Sequence, residues 1–157
     1  MLKVLDLTKS FNGTKAVENL QFQISHGEFF SLLGPNGAGK TTTINIISTL
    51  LKPDAGSIYL DGKDVYVDVH ASKMQMGIVP QEIALYEELS AWANLDFWGR
   101  LYGLRGVHLH KRIQYLLEWV GLSERKNDLI RTYSGGMKRR INIAAALIHS
   151  PDLIIMD

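Results

Sequence analysis

The 157-residue chain contains no cysteine, and its charges almost balance, with 17 lysine and arginine residues against 16 aspartate and glutamate residues. Without cysteine it can form no disulfide, no cysteine-ligated zinc or iron–sulfur site, and no thiol nucleophile. Its net charge of +1 argues against a module that binds nucleic-acid phosphates, because such contacts require a clear basic excess. We therefore predict no nucleic-acid partner.

Long apolar segments are also lacking. No run of 18 apolar residues occurs, and the amino-terminal residues carry no small-residue cleavage site, so we expect neither a membrane span nor a signal peptide. Hydrophobic residues still make up 46% of the chain, which is enough for a core and argues against disorder. The length corresponds to one domain at roughly 150 residues per domain. This composition indicates a folded, cytosolic domain.

The first third of the chain has the pattern of β-strands. Apolar and polar side chains alternate over residues 20–25, as in a strand with one solvent-facing side. Residues 29–33 are almost continuously apolar, which predicts a strand buried on both faces. Shorter strands are predicted at residues 2–8 and 57–60.

Helical spacing dominates between residues 82 and 149. Apolar residues recur at helical intervals in three segments there, residues 90–102, 113–120 and 134–148. The same spacing occurs at residues 41–51, directly after a glycine-rich loop at residues 34–39. Residues 153–156 predict one more buried strand. A strand, a glycine loop and a helix, followed later by another apolar strand, indicate an α/β core with a helical insertion.

A phosphate-binding loop is the clearest motif. The residues from Gly34 to Thr41 match the pattern G-x-x-x-x-G-K-[ST] between a predicted strand and a predicted helix. Small residues let the backbone curl so that its N–H groups and the helix start bind an anion. Lys40 suits the β- and γ-phosphates and Thr41 suits Mg²⁺. The predicted binding residues are Gly34, Asn36, Gly37, Gly39, Lys40, Thr41 and Thr42, of which Thr42 can equally be a packing residue.

Three further features follow the loop in a fixed order. Gln81 comes after an apolar strand, Ser134-Gly135-Gly136 precedes a helix, and Asp157 follows four apolar residues. With the phosphate loop, this order resembles the nucleotide-binding domain of ATP-binding cassette (ABC) transporters over essentially the whole chain. Gln81 matches the family's glutamine loop, Ser134-Gly135-Gly136 its signature motif, and Asp157 its Walker B aspartate.

The resemblance implies an α/β fold, a P-loop NTPase core with an N-terminal antiparallel β subdomain and a helical insertion. Residues 1–81 would form the β subdomain and the P-loop core, residues 82–133 the helical subdomain, and residues 134–157 the signature helix and the Walker B strand. It also implies an ATPase that uses ATP and Mg²⁺ and works as a head-to-tail dimer with a second ABC domain.

Individual roles follow from the same resemblance. Mg²⁺ would be bound by Thr41, Gln81 and Asp157. Gln81 and Asp157 would also be catalytic, and Gln81 would contact the attacking water. The signature residues would contact the γ-phosphate of an ATP held by the partner domain; taken alone, Ser-Gly-Gly is an ordinary cap and turn. Phe11 matches the aromatic residue that stacks on adenine, although a single phenylalanine can equally belong to a core.

The implied partners are transmembrane permease subunits at the cytoplasmic face of the cell membrane, contacted by the Gln81 region and the helical subdomain. Tyr133 and Met137 stand where the family usually has Leu and Gln, which is similar to bacterial exporters of drugs, antibiotics and lipids. The basic run at residues 138–140 is expected to be a solvated helix face. Two alternatives stay open: a soluble ABC protein acting on ribosomes or DNA, although no heptad repeat occurs, and a small-molecule P-loop kinase, which leaves residues 133–137 unexplained.

The family places a catalytic glutamate directly after the Walker B aspartate, then a D-loop and a switch histidine. No residue follows Asp157 in the sequence. On this ground the chain is expected to be a domain cut short, with weak hydrolysis at most. Its last strand would lack a neighbour on one side, which would promote self-association.

Overall fold

An antiparallel sheet forms most of the first of two units in the computed structural model, which describes residues 1–156. This unit comprises Met1–Lys73. Its strands are β1 (Leu2–Phe11), β2 (Thr14–Ile24), β3 (Ala55–Leu60) and β4 (Lys63–Asp64), arranged in the order β2-β1-β3-β4. The turn between β1 and β2 has positive φ at Asn12 and Gly13, as a tight hairpin turn requires.

Helix α1 (Lys40–Ile47) belongs to the same unit and begins directly after the phosphate loop. Its residues Ile46 and Ile47 are buried, as are Leu2, Val4 and Leu7 on one face of β1. At the other end of α1, the Tyr66 hydroxyl lies 2.7 Å from the carbonyl oxygens of both Ile46 and Leu51. Burial is the main cause that raises the pKa of this phenol to about 12, so it stays a hydrogen-bond donor throughout the physiological range.

The chain passes into the second unit within the short helix α2 (Val69–Met74). This unit contains three longer helices, α3 (Ala91–Leu101), α4 (Gly106–Trp119) and α5 (Gly135–Ala146), and two single-turn 3₁₀ helices, Ser123–Arg125 and Ile130–Thr132. Strands β5 (Met76–Val79) and β6 (Leu153–Met156) pair in parallel. The predicted subdomain boundaries after residues 81 and 133 stay predictions.

The core of the second unit lies where the three helices meet. Leu95 of α3, Leu109 and Ile113 of α4, and Ile141 of α5 are all fully buried in one hydrophobic cluster. Helices α3 and α5 begin where the sequence indicates: Ser90 and Ser134 cap their N-termini, and each side-chain oxygen accepts a hydrogen bond from the N–H three residues on. Among residues 1–156 no helix is long and apolar enough to cross a membrane.

Two predictions of buried strands are wrong. Residues 29–33 form no strand; the Phe29 and Leu33 side chains are almost fully exposed, and Phe30 stacks on Phe22 with ring centroids 4.7 Å apart. Residues 153–156 do form β6, but Ile154 and Met156 are exposed. A continuous apolar run predicts burial only when strands on both sides and layers on both faces are in place. Among the described residues, β5 is the one strand paired with β6, and none pairs with residues 29–33.

A half-buried histidine joins the end of α5 to β5. The His149 ring stacks on Tyr102 with centroids 3.7 Å apart, and its Nε2 lies 3.1 Å from the Met76 carbonyl oxygen. Its Nδ1 is buried and has no hydrogen-bond partner among residues 1–156. Burial lowers the pKa of His149, and the nearby Arg112 charge adds to this effect. The folded chain therefore favours the neutral imidazole.

We predict that acid destabilises the chain through His149. Below the ordinary pKa of about 6.5 the unfolded chain binds a proton that the folded chain does not, so the free energy of unfolding falls as pH decreases through this range. His149→Gln, which can still donate to the Met76 carbonyl, should flatten this slope in denaturant titrations between about pH 5 and 7. The exposed His108→Gln is the matched control and should keep the wild-type slope; an unchanged slope in His149→Gln would contradict the prediction.

Candidate functional site

The phosphate loop depends on one close approach between Gly39 and β2. Gly39 has φ +81°, and a Cβ placed there would lie 2.2 Å from the Ala16 carbonyl oxygen. Because no side chain fits that gap, only glycine can let the loop end where α1 begins. Gly37 also has positive φ, +84°, but no described atom lies within 4 Å of the position its Cβ would take.

The side chains that follow Gly39 fold back onto the loop. Lys40 Nζ donates hydrogen bonds to the carbonyl oxygens of Gly34 and Pro35, at 2.8 and 2.7 Å. Since an ammonium has three N–H groups, one remains for an anion. The buried Thr43 hydroxyl donates to the Gly39 carbonyl at 2.9 Å. The loop therefore holds its curled shape through contacts with the first turn of α1.

This geometry fits a phosphate group. The N–H groups in the first turn of a helix have no intrahelical acceptor, and the helix dipole adds positive potential there. The loop from Gly34 to Ala38 is exposed, so a ligand can reach these groups. The exposed Thr41 hydroxyl has no hydrogen-bond partner among the described residues, and an oxygen of this kind can bind Mg²⁺. Thr42 is only half-buried and makes no side-chain hydrogen bond in that part of the chain.

Phe11 lies at the end of β1, beside the hairpin turn. Its side chain is 46% exposed, so the ring is not part of the core. Part of the ring is therefore accessible to a ligand, and the stacking role stays a prediction.

The signature residues form an open helix start in the second unit. The Ser134 hydroxyl accepts a hydrogen bond from the Met137 N–H at 3.3 Å. Gly135 and Gly136 are exposed, and no described atom lies within 4 Å of the position either Cβ would take. Unlike Gly39, these glycines are not required by packing among residues 1–156, and their small size leaves the helix start accessible.

Gln81 is exposed directly after β5, and its main chain is held by a residue that the sequence pattern did not single out. Arg139 of α5 donates from Nη1 to the Pro80 carbonyl, and the same nitrogen lies 3.4 Å from the Gln81 carbonyl oxygen. The structure thus brings the glutamine segment and the signature helix together within the second unit. Asp157, the predicted Walker B aspartate, lies outside the described residues.

The prediction of a solvated basic run at residues 138–140 is wrong for Lys138 and Arg139, which are half-buried, whereas Arg140 is exposed. Lys138 pairs with Glu87, Arg139 contacts the glutamine segment, and Arg140 donates to the Val120 carbonyl at 2.7 Å. A run of charged residues forms a solvated face only if no carbonyl or carboxylate lies within its reach, and this helix start lies beside one carboxylate and three carbonyl groups. Sequence spacing carries no signal for these contacts, because their partners are about 20 to 60 residues away.

The two unusual residues of the signature segment share one neighbour. The Tyr133 hydroxyl donates to the Arg125 carbonyl at 2.6 Å, and the Arg125 guanidinium lies 5.4 Å from the Tyr133 ring centroid. Arg125 Nη1 also lies 3.7 Å from the Met137 sulfur. Burial is the main cause that raises the pKa of Tyr133, so its hydroxyl stays a donor.

Comparison with known proteins identifies the family. A family model described as "ABC transporter" matches residues 17–157. The chain belongs to the ABC transporter family. Its P-loop NTPase fold agrees with the antiparallel β subdomain and the helices described above.

Similar proteins include ATP-binding proteins of bacterial resistance systems. The linearmycin resistance ATP-binding protein LnrL of Bacillus subtilis (strain 168) is 50% identical over 157 residues, covering 100% of this chain and 50% of that protein. The daunorubicin resistance ATP-binding protein DrrA3 of Streptomyces coeruleorubidus is 40% identical, covering 95% of this chain and 47% of that protein. The chain thus spans about half the length of the curated relatives it matches.

A solved structure with the same fold is the dimeric, post-hydrolysis state of the ATP-binding cassette MJ0796 bound to ADP and Pi. It superposes with a TM-score of 0.86 at 29% identity, covering 100% of this chain and 73% of that one.

We predict that Gly39→Ala destabilises the chain far more than Gly37→Ala. Both substitutions place a side chain at positive φ, which costs roughly 1–2 kcal/mol, but only Gly39→Ala forces a methyl group against the Ala16 carbonyl. Chemical denaturation should therefore show a clearly larger loss in the free energy of unfolding for Gly39→Ala. Equal losses in the free energy of unfolding for the two variants would show that the close approach of Gly39 to β2 does not affect stability.

Proposed function

We propose that the chain is the ATP-binding part of a bacterial export-type ABC transporter, in which MgATP binding and hydrolysis drive membrane partner subunits. The observation that carries the proposal is the phosphate loop, where Lys40 lies across the Gly34 and Pro35 carbonyls beside the unpaired N–H groups of α1. Relatives named for linearmycin and daunorubicin resistance support the export direction.

Each predicted residue has a role in this proposal. The backbone from Gly34 to Gly39, with Asn36 and Gly37 on its exposed rim, surrounds the phosphates, and the Lys40 ammonium neutralises the β- and γ-phosphates. Phe11 stacks on adenine. Thr41, Gln81 and Asp157 would hold Mg²⁺, which would neutralise phosphate charge, and Gln81 would orient the attacking water. Thr42 contributes its N–H in the first turn of α1.

The open signature segment supports a proposal of dimerisation. Ser134, Gly135 and Gly136 present a helix start that no described side chain covers, and a helix start of this kind attracts phosphate. We propose that it meets the γ-phosphate of an ATP bound by the second ABC domain. The dimeric state of MJ0796 supports this arrangement.

The exposed apolar side chains between β5 and the end of α3 form the proposed permease contact. They include Ile83, Tyr86, Leu89, Phe97 and Leu101, and the Tyr86 and Phe97 rings meet edge-on with centroids 4.9 Å apart. Asn94, fully buried, fixes this segment by accepting from the Tyr86 N–H and donating to the Tyr86 carbonyl. A membrane subunit docked here would place the protein at the cytoplasmic face of the membrane.

Co-purification separates this proposal from its alternative. A soluble ABC protein acting on ribosomes or DNA would co-purify with those particles instead of with a membrane protein.

We predict that Lys40→Ala lowers the affinity for ATP about 10- to 150-fold, because a hydrogen bond to a charged group contributes about 1.5–3 kcal/mol. Isothermal titration calorimetry measures the dissociation constant, and circular dichroism confirms that the variant folds. The exposed Lys52→Ala, which removes the same charge just beyond α1, is the control and should bind ATP nearly as the wild type does. Unchanged affinity in a folded Lys40→Ala variant would refute the assignment.

We also predict that Ser134→Asp prevents ATP-dependent dimerisation and leaves the ATP affinity of each monomer unchanged. Aspartate still caps α5, but its charge repels the γ-phosphate of the partner's ATP. Light scattering with a slowly hydrolysed ATP analogue measures the mass. Ser90→Asp changes the cap of α3 in the same way and should dimerise normally; a Ser134→Asp variant that still dimerises would argue against the signature contact.

A further inference from the structure

The Asp54 carboxylate, just before β3, holds the residues of β1 that lead into Phe11. Asp54 Oδ1 accepts a hydrogen bond from Lys9 Nζ at 2.7 Å, and its Oδ2 accepts from the Ser10 N–H at 2.7 Å. The Asp54 N–H donates to the Thr8 carbonyl at 2.9 Å. Residues 8–10 are therefore each tied to the same residue.

The β1 segment needs this support because its pairing with β2 is irregular. The register shifts between Leu7 and Lys9, and again between Lys9 and Ser10. Irregular pairing bends a strand and re-aims its side chains. Ser10 and Phe11 pair regularly again, with Lys15 and Thr14, so the irregular part of β1 lies directly before Phe11 and contacts there influence its direction.

Lys9 extends the support to the Phe11 ring itself. Its Nζ lies 5.7 Å from the ring centroid, within the range of a cation–π interaction. The Lys9 side chain is only 15% exposed, so solvent weakens this attraction less than at an open surface. Phe11 remains 46% exposed, which leaves ring surface free for a ligand. The pKa of Asp54 is lowered, first by its hydrogen bond with Lys9 and then by the Ser10 N–H, so Asp54 is ionised at neutral pH.

We propose that Lys9 and Asp54 are positioning residues for the nucleotide base: Asp54 fixes Lys9, and Lys9 holds the Phe11 ring in the orientation that stacks on adenine. This inference rests on the proposed ATP site. The competing explanation is that Lys9 acts only as a charge that attracts the triphosphate.

Two variants of opposite charge separate these explanations. Lys9→Met removes a positive charge and keeps a side chain of similar length, whereas Asp54→Asn removes a negative charge. A pure charge effect would weaken ATP binding in Lys9→Met and strengthen it in Asp54→Asn. Loss of positioning would weaken ATP binding in both.

The experiment measures dissociation constants by calorimetry in the full chain, for MgATP and for inorganic tripolyphosphate, which has no base to stack. Lys15→Met, at an exposed lysine of β2, is the charge-matched control, and Lys9→Arg restores a cation. Phe11→Ala tests the stacking directly. Circular dichroism and denaturant titration check the fold of each variant, and Asp54→Asn provides an independent test if Lys9→Met does not fold.

We expect Phe11→Ala to lower ATP affinity about 5- to 150-fold, as loss of a base stack does. Lys9→Met and Asp54→Asn should each lower it about 3- to 10-fold, without changing the affinity for tripolyphosphate. Lys9→Arg and Lys15→Met should bind ATP nearly as the wild type does. In the Phe11→Ala background, Lys9→Met should have no further effect.

Three results would overturn the inference: unchanged ATP affinity in Lys9→Met, tighter ATP binding in Asp54→Asn, or an equal loss of ATP and tripolyphosphate binding. Failure of the proposed function gives a different pattern. If ATP does not bind the wild type, or if Lys40→Ala binds it equally well, the phosphate site itself is wrong; if only Phe11→Ala is without effect, the adenine contact alone is wrong.

Discussion

The close approach of Gly39 to the Ala16 carbonyl is the constraint on which the shape of the phosphate loop, and with it the proposed nucleotide site, depends. It fixes the point where the loop ends and α1 begins. The direction of the first-turn N–H groups follows from that point, and so does the place from which Lys40 reaches back to Gly34 and Pro35. A side chain at residue 39 would therefore disturb the phosphate-binding groups without touching a ligand.

The glycines of the signature segment differ from Gly39 in their surroundings, so residue type alone could not assign their roles. At Gly39 the chain packs too closely for a Cβ, whereas at Gly135 and Gly136 the space beside the backbone is open. The first glycine is required by the fold of the chain. Packing within the described residues does not require the other two, which is consistent with the proposed approach of a second ABC domain to this helix start.

Much of the fold could be predicted from the sequence where local rules decide the outcome. The alternation in β2, the caps Ser90 and Ser134, and the apolar face of α5 depend on neighbours a few residues away, and the structure agrees with each. The burial of residues 29–33 and of β6 depends on distant strands, and there the prediction was wrong. The phosphate loop was predictable because its chemistry lies within eight consecutive residues, from Gly34 to Thr41.

The second unit contains long-range contacts that local sequence patterns do not predict. Arg139 connects the signature helix to the main chain at Gln81, and Arg125 connects Tyr133 to Met137. Tyr133 and Met137 are therefore not two independent departures from the family pattern. Restoring Leu at 133 would remove the hydroxyl that donates to the Arg125 carbonyl and the ring beneath its guanidinium, while Met137 would still contact the same side chain. Residues that share a charged neighbour constrain each other, so a variant signature segment is best understood as one packed unit that includes Arg125.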